Sequence, residues 1–264
     1  MNQAIDRSLP SSWFIPFLFG VTILSILLMM ILSLGQPRSQ FPAMPDFGSY
    51  AQIDDRKAAF FDYLTPIVEY YNARILEDRK QLKQISESMA SGDKLSWVDS
   101  IWLQWLAEVY AVKWNADNLE IVVSKLNRRV DIIPLPLVLV QAAKESSWGQ
   151  SRFAVEAHNL FGQWCFHQGC GVEPDQRLLG AKHEIRRFKT AEESVRSYLH
   201  NLNTHKGYAD LRRIRQRLRE EHQPITAGAL ADGLTFYSER RGAYVEEIKL
   251  MIAQYRKFQN GRID

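Results

Sequence analysis

The chain has 264 residues and a formal net charge of +3. Such a length supports one or two domains with a buried core. A composition 46% hydrophobic and 24% charged is that of a folded protein, and so small a basic excess gives no ground for a nucleic-acid partner; none is expected.

A short tail, residues 1–12, precedes an uncharged stretch, WFIPFLFGVTILSILLMMILSLG, at 13–35. As a helix this is long enough to cross the ~30 Å hydrocarbon core of a bilayer. It ends in Ser33-Leu34-Gly35-Gln36-Pro37 with no small-residue cleavage site, so an uncleaved anchor is expected, with a cleaved signal as the alternative. With the N-terminus inside, the rest of the chain lies in the periplasm, or is secreted if the signal is cut. Residues 36–53, rich in Pro, Gly, Ser and Gln, read as a linker.

Residues 54–130 read as a helical support region. Phe61, Leu64, Val68, Tyr71, Ile75, Leu82, Ile85 and Met89 alternate at three and four. Thr65-Pro66 allows a second helix to start there. Val98, Ile101, Trp102, Trp105 and Val109 form another apolar stripe, read as core rather than as a carbohydrate platform. A third helix is expected over 116–128.

Over 131–264, Pro134 and Pro136 mark the start of a helix that carries Glu145. The helical pattern fails between Gln163 and Phe188, where glycines suggest an irregular β-hairpin lobe. Cys165 and Cys170 suit a small disulfide loop. Free thiols and a metal site with His167 are the alternatives, but the other histidines show no zinc-type spacing. Thr190 to Glu193 is a capping-box pattern, and Val195, Tyr198, Leu199 and Leu202 give the buried side of the helix it opens. In Leu211–Arg219, Ile214 and Leu218 fall four apart, which puts the arginines on the wet face. The last helix carries Tyr244, Val245, Ile248, Met251, Ile252 and Tyr255. The fold is mainly α with a small β element.

Glu145 closes a hydrophobic helix at its negative dipole end. Gln141, Val138 and Leu137 share its face, and both desolvation and the dipole raise a carboxyl pKa. An acid held protonated near neutral pH can protonate a leaving oxygen. The bland alternative is a rim carboxylate bonded by Ser146 or an arginine. Trp148, Phe161 and Trp164 offer flat surfaces for sugar rings. Asn159 and Gln163 offer amides for hydroxyl and acetamido groups, and Gly149 breaks the helix and opens room for substrate.

The string QAAKESSWGQS at 141–151, followed by Asn159-Leu160-Phe161-Gly162, resembles the signature of glycoside hydrolase family 73, lysozyme-like β-N-acetylglucosaminidases that cut peptidoglycan. The segments from Phe188 to Tyr198 and from Tyr237 to Tyr244 are similar to later motifs of that family, in order. The Trp164–Gly171 insert and Asn201–His205 resemble, more narrowly, the bacterial Bax proteins, a group anchored at the cell envelope. The resemblance implies a lysozyme-like domain over 131–264 that cleaves the β-1,4 bond after N-acetylglucosamine, without a cofactor. It implies peptidoglycan glycan strands as partner and attachment to the membrane through the N-terminal helix. It makes Glu145 the general acid, sets Tyr237 near the cleaved bond and pairs Tyr244 with it. Gln141, Trp148, Asn159, Phe161, Trp164 and Tyr244 are the expected substrate contacts. Glu184, on the returning strand, is the first choice for a second carboxylate, with Glu173 and Asp175 as rivals. Assistance by the substrate's own 2-acetamido group needs no second acid. Competing expectations are a lytic transglycosylase, which leaves anhydro-muramyl ends, and a non-catalytic wall-binding scaffold.

Overall fold

One helix, α1 (Ile53–Ala90), runs continuously along the body, with Asp54 and Asp55 in its first turn where the dipole favours anions. The computed structural model describes residues 39–174 and 183–262. The anchor read at 13–35 and the candidate Asp175 lie outside the described residues. Among the described residues no helix is long and apolar enough to cross a membrane. Pro66 sits inside α1 and starts no second helix. A proline removes one N–H and one ladder bond, and next to it the Thr65 hydroxyl donates to the Phe61 carbonyl at 2.7 Å.

The second half of α1 buries Leu82 and Ile85 in a core shared with α2 (Trp97–Val109) and α3 (Leu119–Arg129). Ser96 caps α2 by accepting the Asp99 amide hydrogen at 3.1 Å. The apolar stripe expected to be core on α2 is largely outside: Val98, Ile101 and Trp105 are exposed, while Leu103, Leu106 and Ala107 are buried. This helix is apolar on nearly every side, so the stripe that is covered depends on where α1 and α3 lie. A 3-10 turn, Ala116–Asn118, precedes α3, which starts later than its sequence pattern suggests.

The part of the expected linker nearest α1 is docked. Phe47 is buried in a turn capped by Asp46, with its ring 5.2 Å from Phe60 and 6.1 Å from Tyr63.

At the centre lies α4 (Leu135–Glu145), buried from Leu137 to Ala143. A helix that is hydrophobic all round must be covered on all sides. It packs against α1, α8 (Ala227–Ala231) and α9 (Gly242–Asn260). After α5 (Arg152–Ala157) come β1 (Trp164–Cys165), β2 (Gly171–Val172) and β3 (Glu184–Arg186), an antiparallel sheet in the order β1-β3-β2. Trp164 faces Ile185 across one ladder and Gly171 faces Arg186 across the other. A Cβ on Gly171 would meet the Ile185 carbonyl oxygen at 2.0 Å, so only glycine fits. Helix α6 (Ala191–Thr204) follows, capped by Thr190.

On α7 (Ala209–Glu220) the arginines do not all line the wet face: Arg212 and Arg215 are buried. Arg215 donates to the carbonyls of Asp131 and Ile132 at 3.0 Å and to Asn203 Oδ1 at 2.7 Å. Arg219 grips the Asp131 carboxylate with bonds of 3.1 and 2.9 Å, and Arg79 of α1 lies 3.6 Å from it. Burial opposes ionisation of Asp131, but the Arg219 bond and the charges of Arg215 and Arg79 outweigh it and hold the carboxyl below its usual range. The cluster fastens α1 and α7 to the segment that leads into α4.

Candidate active site

Glu145 is the last residue of α4. The turn after it is unusual: Ser147, Trp148 and Gly149 have φ of 51°, 59° and 77°. Two of these are not glycine, and such backbone persists only where its surroundings hold it. Here the Ser146 hydroxyl donates to the Ala142 carbonyl at 2.6 Å and accepts the Gly149 amide hydrogen at 2.8 Å. Ser146 is therefore tied to the turn and does not bond the Glu145 carboxyl. Gly149 opens no room for substrate, because Phe47 fills the space: a Cβ there would lie 2.3 Å from its ring.

Three hydrogen bonds lead to the acid. The buried Tyr198 hydroxyl donates to Gln141 Oε1, Gln141 Nε2 donates to the Tyr244 hydroxyl at 3.0 Å, and that hydroxyl donates to Glu145 Oε1 at 2.8 Å. Every donor points the same way, so each bond polarises the next. Glu145 Oε2 accepts no hydrogen bond from the described residues, and the residue is half-buried. Burial pushes the Glu145 carboxyl above its usual range; the Tyr244 bond and the Lys144 ammonium pull the other way. Lys144 is turned to Glu247 at 2.5 Å.

The other expected site residues divide. Gln141 and Tyr244 adjoin Glu145, but through this chain. The Tyr237 hydroxyl donates to the Phe161 carbonyl at 2.9 Å, and its ring stacks on Tyr244 at 5.4 Å. Phe161 is buried and stacks on Tyr198 at 3.9 Å, so it is a wall and not a sugar platform. All the hydrogen-bonding positions of Asn159 are taken: it donates to the carbonyls of Gln163 and Arg186 at 2.8 Å, and accepts from the amides of Gln163 and Phe161. The Gln163 side chain is bonded to Ser194 and Ser197. These two amides build the loop instead of facing a sugar. Trp148 packs edge-on to Phe60 and Phe61 of α1 at 5.8 and 5.2 Å, away from the role expected of it. Trp164 does offer an open face: it is 55% exposed and stacks on His183 at 4.0 Å. Phe166 beside it is exposed and was not signalled by the sequence.

Cys165 and Cys170 are joined, with Cα atoms 6.2 Å apart. Among the described residues, the one cluster with metal-type donors is Cys165, Cys170 and Glu184, and the disulfide consumes both sulfurs. Glu184 is buried on β3, and its two oxygens accept the amide hydrogens of Gly169 at 2.9 Å and Gly171 at 2.7 Å. Through these bonds Glu184, the first choice for a second carboxylate, pins the disulfide loop. Glu173 is exposed at the end of β2. Sequence reasoning missed Tyr198 as a site residue, although it ends the Phe188–Tyr198 motif.

A family model for glucosaminidases, described as mannosyl-glycoprotein endo-beta-N-acetylglucosaminidase, matches residues 122–257. Protein bax of Escherichia coli (strain K12) is 34% identical over 204 residues, covering 76% of this chain and 70% of that protein. No solved structure matches the chain. With the family model covering Glu145 and the residues of its hydrogen-bond relay, and protein bax 34% identical over 76% of the chain, the chain belongs to the glucosaminidase family, in its bacterial Bax branch.

Proposed function

We propose that the protein is a peptidoglycan hydrolase that cleaves the β-1,4 bond after N-acetylglucosamine, with Glu145 as general acid. One observation carries the reading: a relay of buried donors ends on one oxygen of the half-buried Glu145 and leaves the other without a hydrogen bond from the described residues. The Glu145 carboxyl is pushed above the usual range by desolvation, which favours the protonated form that can deliver a proton to the bridge oxygen as the C1–O bond breaks. Glu184 is held by the loop on both oxygens, so the substrate's 2-acetamido oxygen is the better candidate to close on C1. Water then opens that ring and returns a proton to Glu145. The Trp164 face fits the flat side of a sugar ring. The disulfide fits an oxidising compartment outside the cytoplasm, where the wall lies.

The test is Glu145→Gln and Glu173→Gln assayed on purified sacculi, with mass analysis of the released ends. Glu145→Gln is expected to lose about 10²–10⁴-fold in rate, the usual contribution of a general acid. Glu173→Gln is expected to keep the wild-type rate, and the ends to be reducing N-acetylglucosamine. Full activity in Glu145→Gln ends the assignment of the acid. Equal loss in Glu173→Gln restores a two-carboxylate mechanism, and anhydro ends mean transglycosylation.

A further inference from the structure

A cleft of about 830 Å³ lies away from Glu145, between α1 and α2 on one side and β3 and α6 on the other. Half of its wall comes from residues before 122, outside the segment that the family model matches. The two walls differ in the sign that predominates. Arg186 and Arg196, both exposed, stand on the β3 and α6 wall. Glu77 and Asp78 stand on the α1 wall. Each wall also carries one charge of the opposite sign: Arg74, which donates to the Tyr70 hydroxyl at 3.0 Å and whose charge acts on Glu77 and Asp78, and Glu193, which accepts the Lys189 amide hydrogen at 2.9 Å. Between the walls are apolar surfaces, the buried Phe188 and the half-exposed Trp105.

The cleft is one loop away from the acid. Asn159 bonds the Arg186 carbonyl, and Ser197, also in the cleft wall, bonds the Gln163 side chain at 2.8 Å. The same loop gives the Phe161 carbonyl to Tyr237, whose ring lies on Tyr244. The wall of the cleft and the surroundings of the acid thus share one hydrogen-bonded loop.

We infer that this cleft binds the stem peptide of peptidoglycan: a short, alanine-containing peptide with carboxylates at one end and an amine along it. The inference rests on the hydrolase reading for its choice of ligand. The carboxylates pair with Arg186 and Arg196, the amine with Glu77 and Asp78, and the alanine methyls lie on Phe188 and Trp105. Guanidinium groups recognise carboxylates through paired bonds. Complementary charge on opposite walls fixes the direction of the peptide more than it adds affinity. Residues 54–130 would then help to select peptide-bearing glycan as well as support the fold.

The experiment uses the full chain, wild type and the variants Arg196→Glu and Trp105→Ala. The probe is the free tetrapeptide Ala-γ-Glu-diaminopimelyl-Ala, titrated by calorimetry. Activity is then compared on sacculi and on glycan strands stripped of peptide by an amidase. The wild type is expected to bind the tetrapeptide, and each variant to bind it about ten-fold more weakly, as for loss of one charge-assisted or apolar contact. On sacculi KM should rise by about the same factor with kcat unchanged, and on stripped glycan the three proteins should be equal. No peptide binding by the wild type overturns the inference, and so does an equal loss on both substrates. If the wild type cleaves neither substrate, the hydrolase reading falls, and the titration still decides what the cleft binds.

Discussion

At the residue scale, the chemistry of Glu145 is set by opposing effects. Burial favours the protonated acid, while the Tyr244 hydroxyl, donating at 2.8 Å, favours the carboxylate. As the proposed general acid, Glu145 would work only while protonated, so activity is expected to fall as pH rises through its pKa. Tyr244→Phe removes a bond to the charged form, and the pKa must rise further. The variant is expected to hold its rate to higher pH than the wild type, with a lower maximum because the carboxyl is less firmly oriented. A pH profile of kcat/KM on sacculi checks this; an alkaline limb that moves down would contradict the relay. Lys144→Met should move the limb in the same direction, since Lys144 also lowers the pKa. Glu145 and Tyr244 were visible in the sequence as candidates because each lies in a recognisable motif. The relay was not, because Gln141 is 103 residues from Tyr244 and 57 from Tyr198 in sequence. Nor could spacing show that the Asn159 and Gln163 amides bond within the loop instead of facing a sugar.

At the scale of elements, the Asp131 cluster shows what a buried charge does for a helix junction. Asp131→Asn leaves Arg215, only 1% exposed, without its carboxylate. Breaking a buried pair from one side costs about 3–5 kcal/mol. The folded pKa of Asp131 is depressed, so its contribution is present above the unfolded value of about 3.9 and is lost as pH falls through the folded one. Urea unfolding should show the full deficit of Asp131→Asn at pH 7 and a shrinking one below about pH 4. A deficit that does not change with pH would mean that the carboxylate's charge is not what stabilises the junction. Helices were largely legible from the three-four alternation, and the change of pattern after Gln163 marked the sheet. The mistakes fall where tertiary contact chose among faces. Arg215 is buried where carbonyls at the end of α3 and beyond needed donors, and Arg212 where the Leu202 and His205 carbonyls at the end of α6 did. Trp105 is outside because α1 and α3 cover the other side of α2. Pro66 reads as a helix start, yet the packing of Leu64, Ile67 and Val68 on either side of it holds one helix through it.

At the scale of the molecule, α1 joins what the family model leaves out to what it covers. The segment 122–257 holds the Glu145 relay, but α4 and the loop after it are covered by α1. Phe61 lies 5.2 Å from Trp148 and 4.8 Å from Tyr255, and Phe60 lies 5.8 Å from Trp148. Phe60, Phe61, Leu64, Ile67 and Val68 are each buried. At about 1.5–3 kcal/mol for each such side chain, their loss is comparable to the whole stability of a domain, about 5–15 kcal/mol. Phe47 adds to this cover by packing against the backbone at Gly149, so the strained turn that ends at Gly149 is also held from this side. A chain that begins at residue 122 is therefore expected to lose its cooperative thermal transition and to bind a hydrophobic dye at room temperature. Calorimetry of that chain beside one that begins at residue 43 measures the difference. If both melt cooperatively at the same temperature, the helices before 122 serve only the cleft. If only the longer one does, they hold the acid in place as well, because the turn that follows Glu145 is built against them.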